Sequence, residues 1–310
     1  MGTPHFAIPV LEALMDAGHQ VAAVYTRSDS PAGRGQRVIS PPVKVYALQR
    51  GLVVVQPDSL RRQPALEELR AFAPEAITVA AYGRILPPEA LAIPPMRVLN
   101  IHPSLLPRYR GPSPVATAIL DGCRSTGVTV MLLDQGMDTG PILAQREVAI
   151  LPEETAGALT ERLFRLGASL LVEILPKWAK GDLTPAPQDS AQATVTRLYT
   201  KEDGQVDWAL PAHRLARQLL AFDPWPGCST RWEGKALKML RGIAVDEPIP
   251  PGADPGQVVS QQHGGQGTAC VVTGKGLLQL EEVQLEGKRP QGIANFLRGY
   301  PRFQDARLPS

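Results

Sequence analysis

The chain has 310 residues, 44% of them hydrophobic and 20% charged, which suits a globular protein with a real core and at a length that predicts two domains. No apolar run approaches the roughly 20 residues of a membrane span, and no basic stretch leads into an apolar one as a secretory signal would. A net charge of +2 by itself argues for no partner, while three cysteines without C-x-x-C spacing exclude a disulfide framework or thiolate zinc site and predict a reducing, cytoplasmic compartment.

In chain order, the first helix is predicted over residues 6–18, where Leu11, Leu14 and Met15 share a face and Gly18 stops it. "QVAAVYT" (20–26) reads as a buried strand. The next stretch, 27–50, carries Arg27, Arg34, Arg37, Lys44 and Arg50 against a single acid, Asp29, a concentration suited to one focused anionic contact or to a solvated loop. Within it, Ser40-Pro41-Pro42 opens a helix. "LVVVQ", "AITVA" and "RVLNIH" are further strands, with a short helix at "PALEELRAF". Pro114 opens a helix to Leu120. "GVTVMLLD" and "ILAQREVAI" are two strands joined by "QGMDTGP", and a long amphipathic helix covers 155–179.

This alternation predicts an α/β fold with a doubly wound, mostly parallel sheet, whose ligands sit at the carboxyl ends of the strands. Residues 181–200 are polar and aperiodic and read as a linker. After a helix at 212–220, about six short strands separated by glycine turns predict a small β-barrel, with the oligonucleotide-binding type as one candidate. The tryptophans at 178, 208 and 225 are expected to pack, and Cys123 to be buried rather than reactive.

Chemistry concentrates in "LNIHPSLLPRYRG" (99–111). Asn100 and His102, two apart on a strand, face the same side and can both donate to one developing oxyanion. No nucleophile elbow supports Ser104. A carboxylate beside the imidazole would orient it and favour its donating form. Asp138 is a candidate if its strands return to the same sheet edge. Asp134 is the rival, though a turn cap is the simpler role for it, and the histidine could equally be packed at a strand terminus.

"NIHPSLLPRYRG" followed by "GVTVMLLDQGMDTG" resembles the formyltransferase family that uses 10-formyltetrahydrofolate, marked by Asn-x-His-x-Ser-Leu-Leu-Pro and a later Asp. "GTPHFAIP", "SDSPAGRGQRVISPPVK", "VAAYGRILP", "FDPWPG" and the trailing β-domain resemble the branch that formylates methionyl initiator tRNA, so the likeness covers nearly the whole chain. It implies a Rossmann-like formyltransferase fold at 1–183, a linker at 184–204 and an OB-like, tRNA-contacting domain at 205–310. Asn100, His102 and Asp138 would be the catalytic triad. Ser104, Leu105, Leu106 and Pro107 would bind folate together with the segment from Ile85 and Leu86 to Pro87. Arg34, with Arg37 and Lys44 as weaker candidates, would contact the tRNA acceptor stem from a projecting loop that orders on binding.

The product would be N-formylmethionyl-tRNA, with no metal, no membrane and a monomeric chain expected. Family members usually carry a short apolar strand ahead of "GTP.FA.P". Met1 fits its last residue, so the true start is expected upstream of Met1. Formyl transfer to an amino sugar on a nucleotide, deformylation of the folate and a catalytically dead RNA-binding protein are the alternatives. The basic loop argues against the first, and the triad residues against the last.

Overall fold

The computed structural model describes residues 1–32, 37–263 and 266–309, which form two compact units. One comprises Met1–Pro114, Ser125–Ala149 and Thr160–Thr196; the other comprises Val115–Arg124, Ile150–Leu159 and Arg197–Ser310.

Helix α1 (Ile8–Asp16), with proline in its first turn, leads to β1 (Val24–Tyr25). A short antiparallel hairpin follows, β2 (Ser30–Ala32) against β3 (Arg37–Ile39), where the sequence predicts a loop. Then come α2 (Pro42–Gln49), β4 (Val54–Val55), α3 (Gln63–Ala71), β5 (Ile77–Val79), α4 (Pro88–Leu91) and β6 (Val98–His102). After α5 (Pro114–Leu120), β7 (Ser125–Leu132) and β8 (Ile142–Ala149) form the expected hairpin, and α6 (Ala156–Ala179) follows.

The crossover pairs β1–β4 and β5–β6 are parallel, while β7 and β8 extend the sheet antiparallel, in the order β5-β6-β7-β8. Residues 1 and 2 join the two parts. Gly2 N donates to Tyr25 O at 2.9 Å, and Ala80 N donates to Met1 O at 2.9 Å. Beside them lies a cavity of about 560 Å³ whose lining includes Val10, Ala23, Tyr25, Leu69 and Thr78.

Strand β6 is buried along its whole length, and its two faces differ. Leu99 and Ile101 pack with Val128, Val130, Ala168 and Leu171, each of the leucine, isoleucine and valine side chains contributing roughly 1.5–3 kcal/mol by burial. Gly167 permits the close approach of α6, since a Cβ there would lie 2.5 Å from Ile101 Cγ2. The opposite face begins apolar, with Val98 among Val79, Tyr82 and Leu86. It ends in Asn100 and His102, because successive side chains of a strand alternate. A strand whose last two inward positions are polar brings chemistry to the sheet's carboxyl edge.

The stretch expected as a linker makes specific contacts. Ala186 exchanges two backbone hydrogen bonds with Ile142, each 2.8 Å, and Val195 bridges Arg110.

In the second unit, α7 (Ala212–Ala221) precedes β9 (Cys228–Trp232), β10 (Lys235–Val245), β11 (Val258–His263), β12 (Gln266–Val272), β13 (Leu277–Leu285) and β14 (Gln291–Gly292). These strands form a curled antiparallel sheet ordered β11-β12-β13-β10-β9, with β14 on β13, consistent with the barrel expectation. Helix α8 (Ile293–Gly299) contributes Phe296 to an edge-to-face cluster with Trp232 and Phe303, ring centres 5.2–5.8 Å apart.

Trp208 is buried and Trp178 half-buried, but Trp225 is 58% exposed, contrary to the packing role expected of it. Neighbouring Pro224 and Pro226 keep that short loop from folding the indole into a helix or strand. Cys228 and Cys270 are buried, and burial pushes their thiols up to about 12 and about 11, so both are protonated at neutral pH. No helix among the described residues is long and apolar enough to cross a membrane.

Candidate active site

Asn100 and His102 end β6, both buried, at 8% and 4% exposure. The Asn100 carboxamide has no hydrogen-bond partner among the described residues. His102 is held on two sides: Nε2 lies 3.0 Å from Tyr109 O, and Nδ1 lies 3.6 Å from Asp138 Oδ2. Both neighbours are acceptors, so only a ring protonated on both nitrogens can offer each of them a proton.

Asp138 reaches His102 from the turn between β7 and β8, where it adopts φ 55°. Its carboxylate also accepts from Gly111 N at 2.8 Å. Asp134, the rival, accepts from Gly136 N at 3.0 Å and Thr139 Oγ1 at 2.7 Å, and so caps the turn. No group of three or more potential metal ligands occurs among the described residues.

The loop 103–111 is built from within. Ser104 is fully buried and its hydroxyl donates to Arg108 O at 2.7 Å. Thr129, opposite His102 on β7, donates to Ser104 O at 2.7 Å and accepts from Leu106 N at 3.2 Å. Gln145 Nε2 donates to Leu106 O at 2.8 Å and to Thr129 Oγ1 at 2.9 Å. Ser104 and Leu106 therefore shape the loop, with Leu105 and Pro107 less buried between and beyond them. Of the other folate candidates, Leu86 is in the core and Ile85 is 79% exposed.

The two arginines of this loop have separate tasks. Arg108 lies over the Tyr109 ring, 5.2 Å from its centre. Arg110, 8% exposed, donates through Nε and one terminal nitrogen to Gln188 Oε1, at 3.0 and 2.8 Å. Thr194 and Thr196 hold the same loop. Thr194 Oγ1 accepts from Tyr109 N at 2.7 Å, and Thr196 N and Oγ1 donate to Arg110 O at 2.7 and 2.9 Å. No pattern in the sequence marked Thr129, Gln145, Gln188, Thr194 or Thr196 as supports. Only the polar side chain of Thr129 within the apolar run 128–132 could have flagged one of them.

Of the basic candidates, Arg34 lies outside the described residues and Arg37 begins β3. Lys44 is held by Asp29, its Nζ 2.8 Å from both carboxylate oxygens. Asp29 also accepts from Ser40 Oγ and Gln56 Nε2, each at 2.9 Å, so this one carboxylate ties β2 to α2 and to the segment after β4. The Lys44 ammonium, aided by Gln56 and Ser40, holds its carboxyl down to about 2.

The model of the family described as "Formyl transferase" matches residues 1–175, and that described as "Formyl transferase, C-terminal domain" matches residues 199–301. A methionyl-tRNA formyltransferase of Chloroflexus aurantiacus is 49% identical over 303 residues, covering 96% of this chain and 95% of that one. Another, of Chloroflexus aggregans, is 50% identical over 299 residues and 96% of each chain. Among solved structures, an N-formyltransferase of Helicobacter canadensis, in complex with folinic acid and dTDP-3-aminofucose, matches 90% of this chain and 96% of its own. The TM-score is 0.64 at 18% identity, a likeness of fold.

Proposed function

The chain belongs to the methionyl-tRNA formyltransferase family, and on that premise we propose how its own residues carry the transfer. It is an enzyme that moves the formyl group of 10-formyltetrahydrofolate to the α-amino group of methionyl initiator tRNA. A bond forms between that amine and the formyl carbon as the bond from the formyl carbon to the folate nitrogen breaks. The amine gives up one proton and the folate nitrogen gains one. Asn100 and the protonated His102 donate to the oxygen on which negative charge develops, His102 by turning its Nε2–H from the Tyr109 carbonyl to the substrate. Asp138 keeps the imidazole turned and charged, and the His102–Asp138 pair is the acid–base pair within reach of the proton. The Asn100 carboxamide carries this assignment: it is buried beside His102 yet has no partner in the fold among the described residues, so a donor is left over for a substrate atom.

Folate lies along the loop 104–107 and the exposed Ile85, with Leu86 holding that segment in place. The catalytic part is 1–183 and the tRNA-contacting part 205–310, on either side of 184–204. Arg34 and Arg37 meet the acceptor stem, and Lys44, held by Asp29, supports the segment that carries Arg37. The enzyme works as a monomer in the cytoplasm.

The test is formyl transfer with 10-formyltetrahydrofolate, comparing methionyl initiator tRNA, free methionine and no acceptor. Formylmethionine is expected on the charged tRNA alone. Folate turnover indifferent to tRNA would instead indicate a hydrolase or a small-amine transferase.

Asp29 offers a second check. Its folded carboxyl is depressed from about 4 to about 2, so the anchor is complete above pH 4 and lost only as pH falls through 2. At neutral pH the Asp29→Asn substitution therefore acts by removing charge from a formed anchor. We expect it to weaken tRNA binding about tenfold in a filter-binding titration, with the folate KM unchanged. Arg34→Ala should in addition lower the slope of log K against log salt by about one. Equal affinity and slope in both variants would dismiss this basic stretch as the tRNA contact.

A further inference from the structure

We propose that Gln188 is a positioning residue for formyl transfer, fixing the turn that presents Asp138 to His102; the proposal rests on the role given above to Asp138. The Gln188 carboxamide is used to its full capacity. Nε2 donates to Asp138 O at 2.9 Å and to Gly140 O at 2.7 Å, one carbonyl for each of its two protons. Oε1 accepts two N–H groups of Arg110, at 3.0 and 2.8 Å. These partners also fix the orientation of the amide, because the flipped form would set donors against the guanidinium and an oxygen against two carbonyls.

What is pinned at either end is the catalytic apparatus. Asp138 is a non-glycine residue at φ 55°, a conformation that must be held by its surroundings. Gln188 grips the peptide that follows it and the carbonyl two residues on. At the other end Arg110 is fixed in turn by Thr194 and Thr196, and the next residue, Gly111, donates to the Asp138 carboxylate. The backbone and the side chain of Asp138 are thus referred to the same frame. Gln188 itself is placed by Ala186, whose paired hydrogen bonds to Ile142 anchor the segment at the start of β8. A shift of Asp138 by 1 Å would pull its carboxylate from His102, and misplacement of that size can cost about 100-fold in rate.

Glutamate discriminates between positioning and mere support. In Gln188→Glu a carboxylate still meets Arg110, now as an ion pair, but its second oxygen faces the carbonyls of Asp138 and Gly140 with no proton to give. Gln188→Ala removes both contacts. The test is steady-state formyl transfer by the full-length protein with methionyl initiator tRNA and 10-formyltetrahydrofolate, at 10 °C or more below each variant's Tm. We expect kcat to fall roughly 10- to 100-fold in both variants, with both KM values within about threefold of the parent. Gln188→Glu is expected to melt near the parent temperature, so it carries the test even where Gln188→Ala folds poorly. A Gln188→Glu enzyme with parental kcat, or one changed in KM alone, would overturn the proposal. Asp138→Asn measured alongside separates the two levels of inference. If it keeps full turnover, the role given to Asp138 is wrong; if it loses turnover while Gln188→Glu does not, only Gln188 is.

Discussion

We expect the Asn100→Ala enzyme to turn over about 100- to 1,000-fold more slowly than the parent while its KM for folate and for tRNA barely moves. The reason is what the carboxamide does not do. It makes no hydrogen bond within the described residues, so its loss breaks no part of the fold. A donor with no partner in the fold contributes no hydrogen bond to stability, so its removal leaves Tm near that of the parent. Activity and stability should then move independently, as expected of a group whose partner is a substrate atom in the transition state. His102→Ala should lose at least as much rate but also some stability, because Nε2 holds the Tyr109 carbonyl. A parental kcat in Asn100→Ala, or a drop of several degrees in its Tm with little change in rate, would make the residue structural. Stopped-flow formyl transfer and differential scanning calorimetry on the same preparations decide it.

The second large effect is expected from one methyl group. A Cβ at Gly140 would lie 1.9 Å from Leu132 O and 3.0 Å from Leu132 C. Leu132 cannot retreat, since it pairs with Leu99 of β6 and its N–H bonds Pro141 O at 2.9 Å. In Gly140→Ala the turn itself must move, and with it the Gly140 carbonyl held by Gln188 and the Asp138 carboxylate beside His102. Overpacking of this kind costs about 1–3 kcal/mol, a fall of roughly 3–10 °C in Tm. The folded fraction should still lose about 100-fold in kcat. Thermal melts together with kcat measured well below Tm would reveal it. A stable, fully active Gly140→Ala protein would mean that the turn's position does not matter to the reaction.

Much of this site was legible in the sequence, and the rest was not, for identifiable reasons. Asn100 and His102 could be placed because a buried strand alternates its side chains and their spacing puts both on one face. Between Asp138 and Asp134 the residues alone left the choice open and only the family resemblance favoured Asp138, because the choice depends on the backbone of a turn: the left-handed conformation at Asp138 aims one carboxylate at the histidine, while Asp134 folds back on its own loop. Strand lengths were overread. "QVAAVYT" promised seven residues, yet only Val24 and Tyr25 form a ladder, with Val54 and Val55. Hydrophobic pattern reports burial, whereas a ladder also needs a neighbour alongside. Lys44 read as a weaker tRNA contact because its partner Asp29 lies 15 residues back in the chain. Gln188, Thr194 and Thr196 sit in an aperiodic stretch and make contacts 48–86 residues away, which no local pattern encodes.

Those same long separations bear on when the enzyme becomes active. Arg110 and the threonine that secures its carbonyl are 86 residues apart, and at about 5–20 residues per second the ribosome makes that interval in roughly 4–17 s. Strand β6, the Asp138 turn and the β7–β8 hairpin are all synthesised before the segment that fastens them. During that interval a nascent chain can hold its sheet and still lack an aligned histidine and carboxylate. Alignment of that pair therefore waits for residue 196, beyond the last strand and α-helix of its own domain.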